Sequence, residues 1–129
     1  MASSQGLHEE REVLQPATVD RHRAIVSLQE ELEAVDWYDQ RVDAAGDPEL
    51  AAVLAHNRDE EKEHAAMTLE WLRRHDPVLD QMLRTYLFTE GSVLAVEAAQ
   101  SNDASPEAPG TAAGSADGDL GIRSLRGAR

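Results

Sequence analysis

Glu61 and His64 are the two residues of this sequence whose types and spacing best fit metal chemistry. On a helix, a spacing of three residues puts the carboxylate and the imidazole on one face, where both reach the same point. Carboxylate oxygen with imidazole nitrogen suits Fe, Mn or Zn, and the sequence has no cysteine to offer a softer site. The pair is a weak signal by itself, because Glu-x-x-His arises by chance on many helices.

Glu31 is the third candidate ligand. If a turn is centred near Gly46, Glu31 lies about 15 residues before it and Glu61 about 15 residues after it, so we expect them level across a hairpin. Some dinuclear carboxylate centres take one Glu from each of two helices and a Glu-x-x-His pair from each of two others. This chain carries one of each. The sequence therefore predicts half of a di-iron site, which the two-fold axis of a dimer would complete.

Further polar and aromatic residues flank these candidate ligands. Glu30, Glu33 and Trp37 share a helix face, where the two carboxylates form an acidic pair one turn apart. Packing is the commoner role for Trp37 and Tyr38, and the functional alternative for Tyr38 is a hydrogen bond to a ligating carboxylate. The remaining histidines lie near predicted ends or off the Glu61 stripe, and we do not expect them to bind metal: His8, His22, His56 and His75.

Length and charge exclude several classes of protein. The chain of 129 residues forms one small domain at most, with a modest core. Its net charge of -13, from 12 Lys+Arg against 25 Asp+Glu, argues against nucleic-acid binding, which needs a basic patch. The sequence has no apolar run of about 18 residues and no signal-peptide pattern at its start. We therefore expect a cytoplasmic protein that does not bind membranes.

The middle of the chain is rich in strong helix formers, which predicts an all-α fold. Thr18 is a suitable N-cap for the first helix, and Gly46 can take the left-handed conformation that ends it. Asp-Pro pairs at 47–48 and 76–77 are typical helix starts. The expected helices cover residues 18–45, 48–75 and 77–91. The first two form an antiparallel hairpin, and the third is short.

The first predicted helix carries an apolar seam with spacings of three and four residues, in which Asp39 takes one place. The seam residues are Ile25, Leu28, Leu32, Val35 and Val42. The facing stripe of the second helix has apolar ends and a polar middle that includes Asn57, Glu61, His64 and Thr68. An exposed seam would pack on a second copy of the hairpin, so we expect a dimeric four-helix bundle.

Composition divides the chain into four segments. A flexible N-terminus over residues 1–17 precedes a helical domain over 18–99 and a disordered linker over 100–119. The linker contains small residues, Pro and acids, with little to bury. Residues 120–129 restore apolar residues and positive charge, which indicates a docking peptide. Its central residues are Leu120, Gly121, Ile122, Arg123, Ser124 and Leu125.

Three short runs of the sequence together resemble the encapsulated ferritins, iron-oxidising cargo of bacterial encapsulin nanocompartments. The similarity covers roughly residues 19–89 and the C-terminus, and rests on Glu30–Gln40, His56–Met67 and Leu120–Leu125. It implies a ferritin-like ferroxidase that oxidises Fe(II) with dioxygen at a di-iron centre across a dimer interface. It also implies that dimers associate into a ring, usually a decamer, and that the iron is stored inside the encapsulin shell.

The resemblance also assigns roles to individual residues. The implied ligands of two irons per dimer interface are Glu31, Glu61 and His64, with Ca, Mn or Zn as expected substitutes. Tyr38 and Trp37 neighbour that centre, and Tyr38 counts among the catalytic residues. Glu30 and Glu33 match an outer site through which metal arrives. The peptide 120–125 is implied to target the chain to the encapsulin shell.

Two other functions stay open from the residues alone. A non-catalytic acidic adaptor would use Glu61 and His64 only as a helix-surface ion pair and would act through its tail. A di-iron oxygenase or peroxidase would keep the metal site, but the sequence lacks a rubredoxin-like cysteine segment.

Overall fold

The computed structural model describes residues 6–103, and the regular elements of that range are all helical, which confirms the all-α prediction. A short 3-10 turn at Arg11–Val13 precedes four helices: α1 Pro16–Ala44, α2 Pro48–Arg74, α3 Pro77–Tyr86 and α4 Val93–Asp103. The chain divides after Asp76 into a hairpin unit containing α1 and α2 and a C-terminal unit containing α3 and α4. The predicted docking peptide and residues 104–119 of the predicted linker lie outside the described residues.

Helix α1 begins at Pro16, two residues before the predicted N-cap Thr18. Proline fits the first helical position because its φ is already helical and that position needs no N–H donor. The carbonyl of Gln15 accepts from the backbone N–H groups of Thr18 and Val19 at 3.0 and 3.1 Å. Residues 16–17, which were assigned to the flexible N-terminus, therefore belong to the helix.

The turn between α1 and α2 differs from the predicted one at Gly46. Ala45 leaves the helix in an extended conformation (φ -70°, ψ 129°), and Gly46 does not take a positive φ. Asp47 is the N-cap of α2, as predicted, and its carboxylate accepts from the N–H of Leu50 at 2.9 Å. Pro48 occupies the first helical position, also as predicted.

The hairpin unit buries little by itself. Across residues 6–101 the buried residues are Val19, Ala65 and Leu72. Two members of the apolar seam are open to solvent, with Ile25 43% and Leu32 54% exposed. Apolar surface exposed in this way is typical of a face that packs on another protein surface.

In the C-terminal unit, α3 ends at Tyr86, five residues before the predicted end at Gly91. Phe88 takes a positive φ of 63°, which ends the helix as a C-terminal glycine would, and the hydroxyl of Thr89 donates to the carbonyl of Tyr86 at 2.8 Å. Helix α4 reaches Asp103, so residues 100–103 of the predicted disordered linker are helical. The serine before α4 caps it, and its alanines favour the helix.

No helix within residues 6–103 combines the length and the apolar character needed to cross a membrane.

Candidate metal centre

Helix α2 brings Glu61 and His64 together, as their spacing predicted. The Nδ1 atom of His64 lies 3.6 Å from Oε1 of Glu61, and their side chains are 47% and 28% exposed. That distance is too long for a hydrogen bond. Both groups therefore keep their lone pairs available and can turn toward a metal ion.

Glu31 lies on α1 with its carboxylate turned toward Thr68 of α2. The Thr68 hydroxyl donates to Oε2 of Glu31 at 3.4 Å. The other oxygen, Oε1, is buried and has no hydrogen-bond partner. Leaving an acceptor unsatisfied away from water costs free energy, and the cost is greater for a charged group. Within residues 6–103, Oε1 of Glu31 therefore has no hydrogen-bond partner.

Glu31, Glu61 and His64 do not form one ligand group within residues 6–103. Within residues 6–103 no group of three His, Asp or Glu side chains is arranged to hold a metal ion. Side chains tilt toward the N-terminus of their own helix. In an antiparallel hairpin Glu31 therefore leans away from the turn, and Glu61 leans toward it. A count of residues from the turn does not include this opposite tilt of the two side chains.

Asp39 and Arg58 join the two helices nearer the turn. Arg58 Nη1 donates to Asp39 Oδ1 at 3.0 Å, and its Nε donates to Asp59 Oδ1 at 3.1 Å. The bonds to Asp59 and then Asp39 raise the pKa of the Arg58 guanidinium, and the bond from Arg58 lowers the pKa of Asp59. The guanidinium of Arg58 lies opposite Asp39. An acidic residue can therefore take this place in the apolar seam.

Tyr38 has a partner on α1, whereas its neighbour Trp37 lies exposed beside a groove. The guanidinium of Arg41 lies 5.5 Å from the ring centroid of half-buried Tyr38, in a cation–π contact. Trp37 is exposed and lines an open groove of about 410 Å³ with Gln40 and Arg41. A role for either aromatic residue in iron chemistry stays a prediction.

The predicted outer metal site lies on the exposed side of α1. Glu30 is exposed and Glu33 is half-exposed. Within residues 6–103 no group of three or more His, Asp or Glu side chains is arranged there to hold a metal ion. The outer site therefore also stays a prediction.

Other charged and aromatic side chains of α2 pair with one another. The His56 ring lies 3.1 Å from Glu60, and the His75 ring stacks on Trp71 with centroids 3.8 Å apart. Glu70 accepts from Arg73 and Arg74 at 2.7–2.8 Å, and these bonds lower the pKa of Glu70 to about 2.

Sequence reasoning missed the roles of Thr68 and Arg58. Thr68 lies on the predicted polar stripe, seven residues after Glu61 and four after His64. That spacing could have indicated that its hydroxyl faces the same side of the helix as the candidate ligands. Arg58 could have been found only by asking what faces Asp39 across the hairpin, which requires the register between helices.

Comparison with known proteins places the chain among close relatives. The EncFtn-like family matches residues 6–90. The chain is 64% identical over 127 residues to the "Encapsulated ferritin-like protein" of Rhodospirillum rubrum, covering 97% of this chain and 91% of that relative. It is 38% identical over 52 residues, 40% of each chain, to the "Encapsulin nanocompartment cargo protein EncC" of Myxococcus xanthus. The crystal structure of protein ne0167 from Nitrosomonas europaea is 62% identical, with a TM-score of 0.65, over 67% of this chain and 96% of that one.

Proposed function

The chain belongs to the EncFtn-like family, as the resemblance to encapsulated ferritins predicted, and on that premise we propose that it is a ferroxidase. It oxidises Fe(II) to Fe(III) with dioxygen at a di-iron centre formed across a dimer interface. Dimers assemble into a ring, by family resemblance a decamer, and the ring delivers iron for storage inside an encapsulin shell in the cytoplasm.

The observation that carries this proposal is the buried, unpartnered Oε1 of Glu31. A metal cation would give that oxygen the partner that residues 6–103 do not supply. The proposed ligands are all hard or borderline donors, which suit iron, and substitutes such as Mn, Zn or Ca are expected at the same site.

A second copy of the chain completes the ligand set. Glu31, Glu61 and His64 do not converge within one described chain. A two-fold axis doubles each of them, which gives four glutamates and two histidines for two irons. The second copy also covers the exposed seam residues Ile25 and Leu32, because the two hairpins pack together in a four-helix bundle.

The proposed residues act by binding and orienting iron, which is the substrate. Carboxylates favour Fe(III) over Fe(II) because their negative charge offsets the added positive charge, and they can bridge two ions. Neutral imidazole caps each iron and leaves room for dioxygen. Each Fe(II) loses one electron, and the two electrons with two protons reduce one dioxygen to hydrogen peroxide.

The shell partner is proposed from the names of relatives and from the tail. The Rhodospirillum rubrum relative is named as encapsulated, and the Myxococcus xanthus relative is named as an encapsulin cargo. Leu120 and Ile122 have the alternating spacing to enter adjacent pockets of an apolar groove in extended form. Leu125 is a third anchor, and Arg123 suits an acidic rim. Several tails per ring would add avidity.

An aerobic Fe(II) titration tests the ferroxidase proposal. We expect oxidation well above the buffer rate for the wild-type chain and background rates for Glu61→Ala and His64→Ala. The matched controls Glu60→Ala and His56→Ala remove an exposed carboxylate and an exposed imidazole of the same helix and should keep wild-type rates. Wild-type rates in Glu61→Ala or His64→Ala would contradict the site.

Deletion of residues 120–129 tests the shell partner separately. The truncated chain should oxidise iron and assemble normally but should not be packaged into a co-expressed encapsulin. The same ten residues fused to an unrelated soluble protein should carry it into the shell. Packaging of the truncated chain at wild-type yield would contradict the tail assignment alone.

A further inference from the structure

Thr68 and Thr85 use their hydroxyl groups in opposite ways. Thr85, on α3, donates to the carbonyl of Gln81 in its own helix at 2.9 Å, which is the usual behaviour of a helical threonine. Thr68 instead donates across the hairpin to Oε2 of Glu31. Its donor is therefore directed at a side chain that the proposed function makes an iron ligand.

The bond from Thr68 holds one oxygen of Glu31 and leaves the other without a partner. Oε2 receives the hydroxyl at 3.4 Å, and Oε1 is buried and unbonded. The distance is long for an O–H···O bond, so the contact restrains the rotation of the carboxylate more than it stabilises the fold. A restrained carboxylate loses less rotational freedom when it binds a metal.

The chemical type of this donor matters as much as its position. A threonine hydroxyl carries no charge, so it does not compete with a cation as a counter-charge for a carboxylate. Arg58 shows the alternative, because it meets Asp39 with a guanidinium and neutralises it. Thr68 also lines an open groove of about 440 Å³ together with Glu31, Met67 and Trp71.

We propose that Thr68 is a positioning residue for Glu31: its hydroxyl fixes Oε2 and presents Oε1 to iron. This inference rests on the proposed function, in which Glu31 is an iron ligand. Thr68 does not touch the metal in this arrangement. Loss of such an outer hydrogen bond commonly weakens metal binding or activity by about 10- to 100-fold.

The test compares two substitutions of Thr68 in the full-length chain with a matched control. Thr68→Val keeps the branched shape and removes the hydroxyl, whereas Thr68→Ser keeps the hydroxyl and removes the methyl group. Thr85→Val makes the same change at the threonine that bonds within its own helix. Each variant is measured for the apparent KM and kcat of aerobic Fe(II) oxidation, for anaerobic Mn(II) affinity and for melting temperature.

We expect Thr68→Val to weaken Mn(II) binding and raise the KM for Fe(II) by about tenfold or more, with a smaller change in kcat. Thr68→Ser and Thr85→Val should stay within about twofold of wild type, and none of the variants should lose its fold. Wild-type Mn(II) affinity in Thr68→Val would overturn the proposal. Equal impairment of Thr68→Val and Thr68→Ser would also overturn it, because the methyl group and not the hydroxyl would then matter.

The Mn(II) measurement separates this inference from the ferroxidase proposal. If the wild-type chain binds Mn(II) in a way that Glu31→Gln abolishes, yet does not oxidise iron, the ferroxidase proposal fails and Thr68 is still judged by Mn(II) affinity. If Mn(II) binding does not depend on Glu31, the role of Thr68 is refuted, whatever the rate of iron oxidation.

Discussion

Polar side chains connect the two helices of the hairpin at two levels, and the two contacts differ in what they leave unsatisfied. Near the turn, Asp39 meets the guanidinium of Arg58 at 3.0 Å, so a charge faces an opposite charge. Farther from the turn, Glu31 meets only the neutral hydroxyl of Thr68 at 3.4 Å, and one of its oxygens is buried without a partner.

This difference separates a structural carboxylate from one that is available to a ligand. Asp39 is satisfied inside the chain and has no need of a further cation. Glu31 is also an acidic residue of the same helix, but its Oε1 has no hydrogen-bond partner within the described residues. In this hairpin the unsatisfied acid therefore marks the candidate metal site.

The largest expected effect comes from neutralising each acid in turn. Glu31→Gln should reduce rapid iron oxidation to the buffer rate, because in a symmetric site one substitution removes two ligands. The same change should alter the stability of the metal-free chain little, because the amide keeps the shape of the side chain and an oxygen that can accept from Thr68. Oxidation rates and denaturant unfolding of the metal-free protein measure the two effects.

Asp39→Asn is the matched control for that experiment. It should keep the oxidation rate within about twofold of wild type and lower the unfolding midpoint, because Arg58 loses its partner across the hairpin. The reverse pattern, with oxidation lost in Asp39→Asn and kept in Glu31→Gln, would mean that the roles of the two acids are exchanged.

The second prediction concerns assembly. Four glutamates that face one another across a dimer axis repel, so the metal-free dimer should be weak and bound cations should strengthen it. Sedimentation in chelator and in Fe(II) or Ca(II) should show a shift toward dimers or larger assemblies with metal, and Glu31→Gln should reduce the difference. Identical assembly under both conditions would count against metal linkage.

A smaller effect is expected from a double-mutant cycle on Asp39 and Arg58. Both single alanine variants and the double variant should oxidise iron at close to the wild-type rate. The coupling between the two substitutions should fall as salt is added, because the Asp39 side chain is 56% exposed and salt can screen its charge. A coupling that is independent of salt would indicate packing and not charge.

The smallest effect should come from Glu70, another carboxylate that the chain satisfies by itself. Arg73 and Arg74 lower its pKa from 4.5 to about 2 in the folded chain, so its contribution to stability is present above pH 4.5. That contribution is lost as the pH falls toward 2. The stability difference between wild type and Glu70→Gln, followed by thermal unfolding, should therefore be largest above pH 4.5 and close toward pH 2. A difference that does not change with pH would contradict the role of the two arginines.

The sequence by itself determined the local structure of this protein. The pairs Asp47–Pro48 and Asp76–Pro77 placed the starts of α2 and α3, because caps and proline act within one turn of a helix. The pairing of Glu61 with His64 also followed from spacing, since both lie on one helix. Each of these features depends on residues close together along the chain.

Only the tertiary structure decided which side chains meet across the hairpin. Counting residues from the turn placed Glu31 with Glu61, but the tilt of side chains on antiparallel helices turned Glu31 toward Thr68. The early end of α3 also depended on the backbone of Phe88, a residue that rarely takes a positive φ. Contacts between helices depend on register and on side-chain direction, and neither is encoded by the periodicity of a single helix.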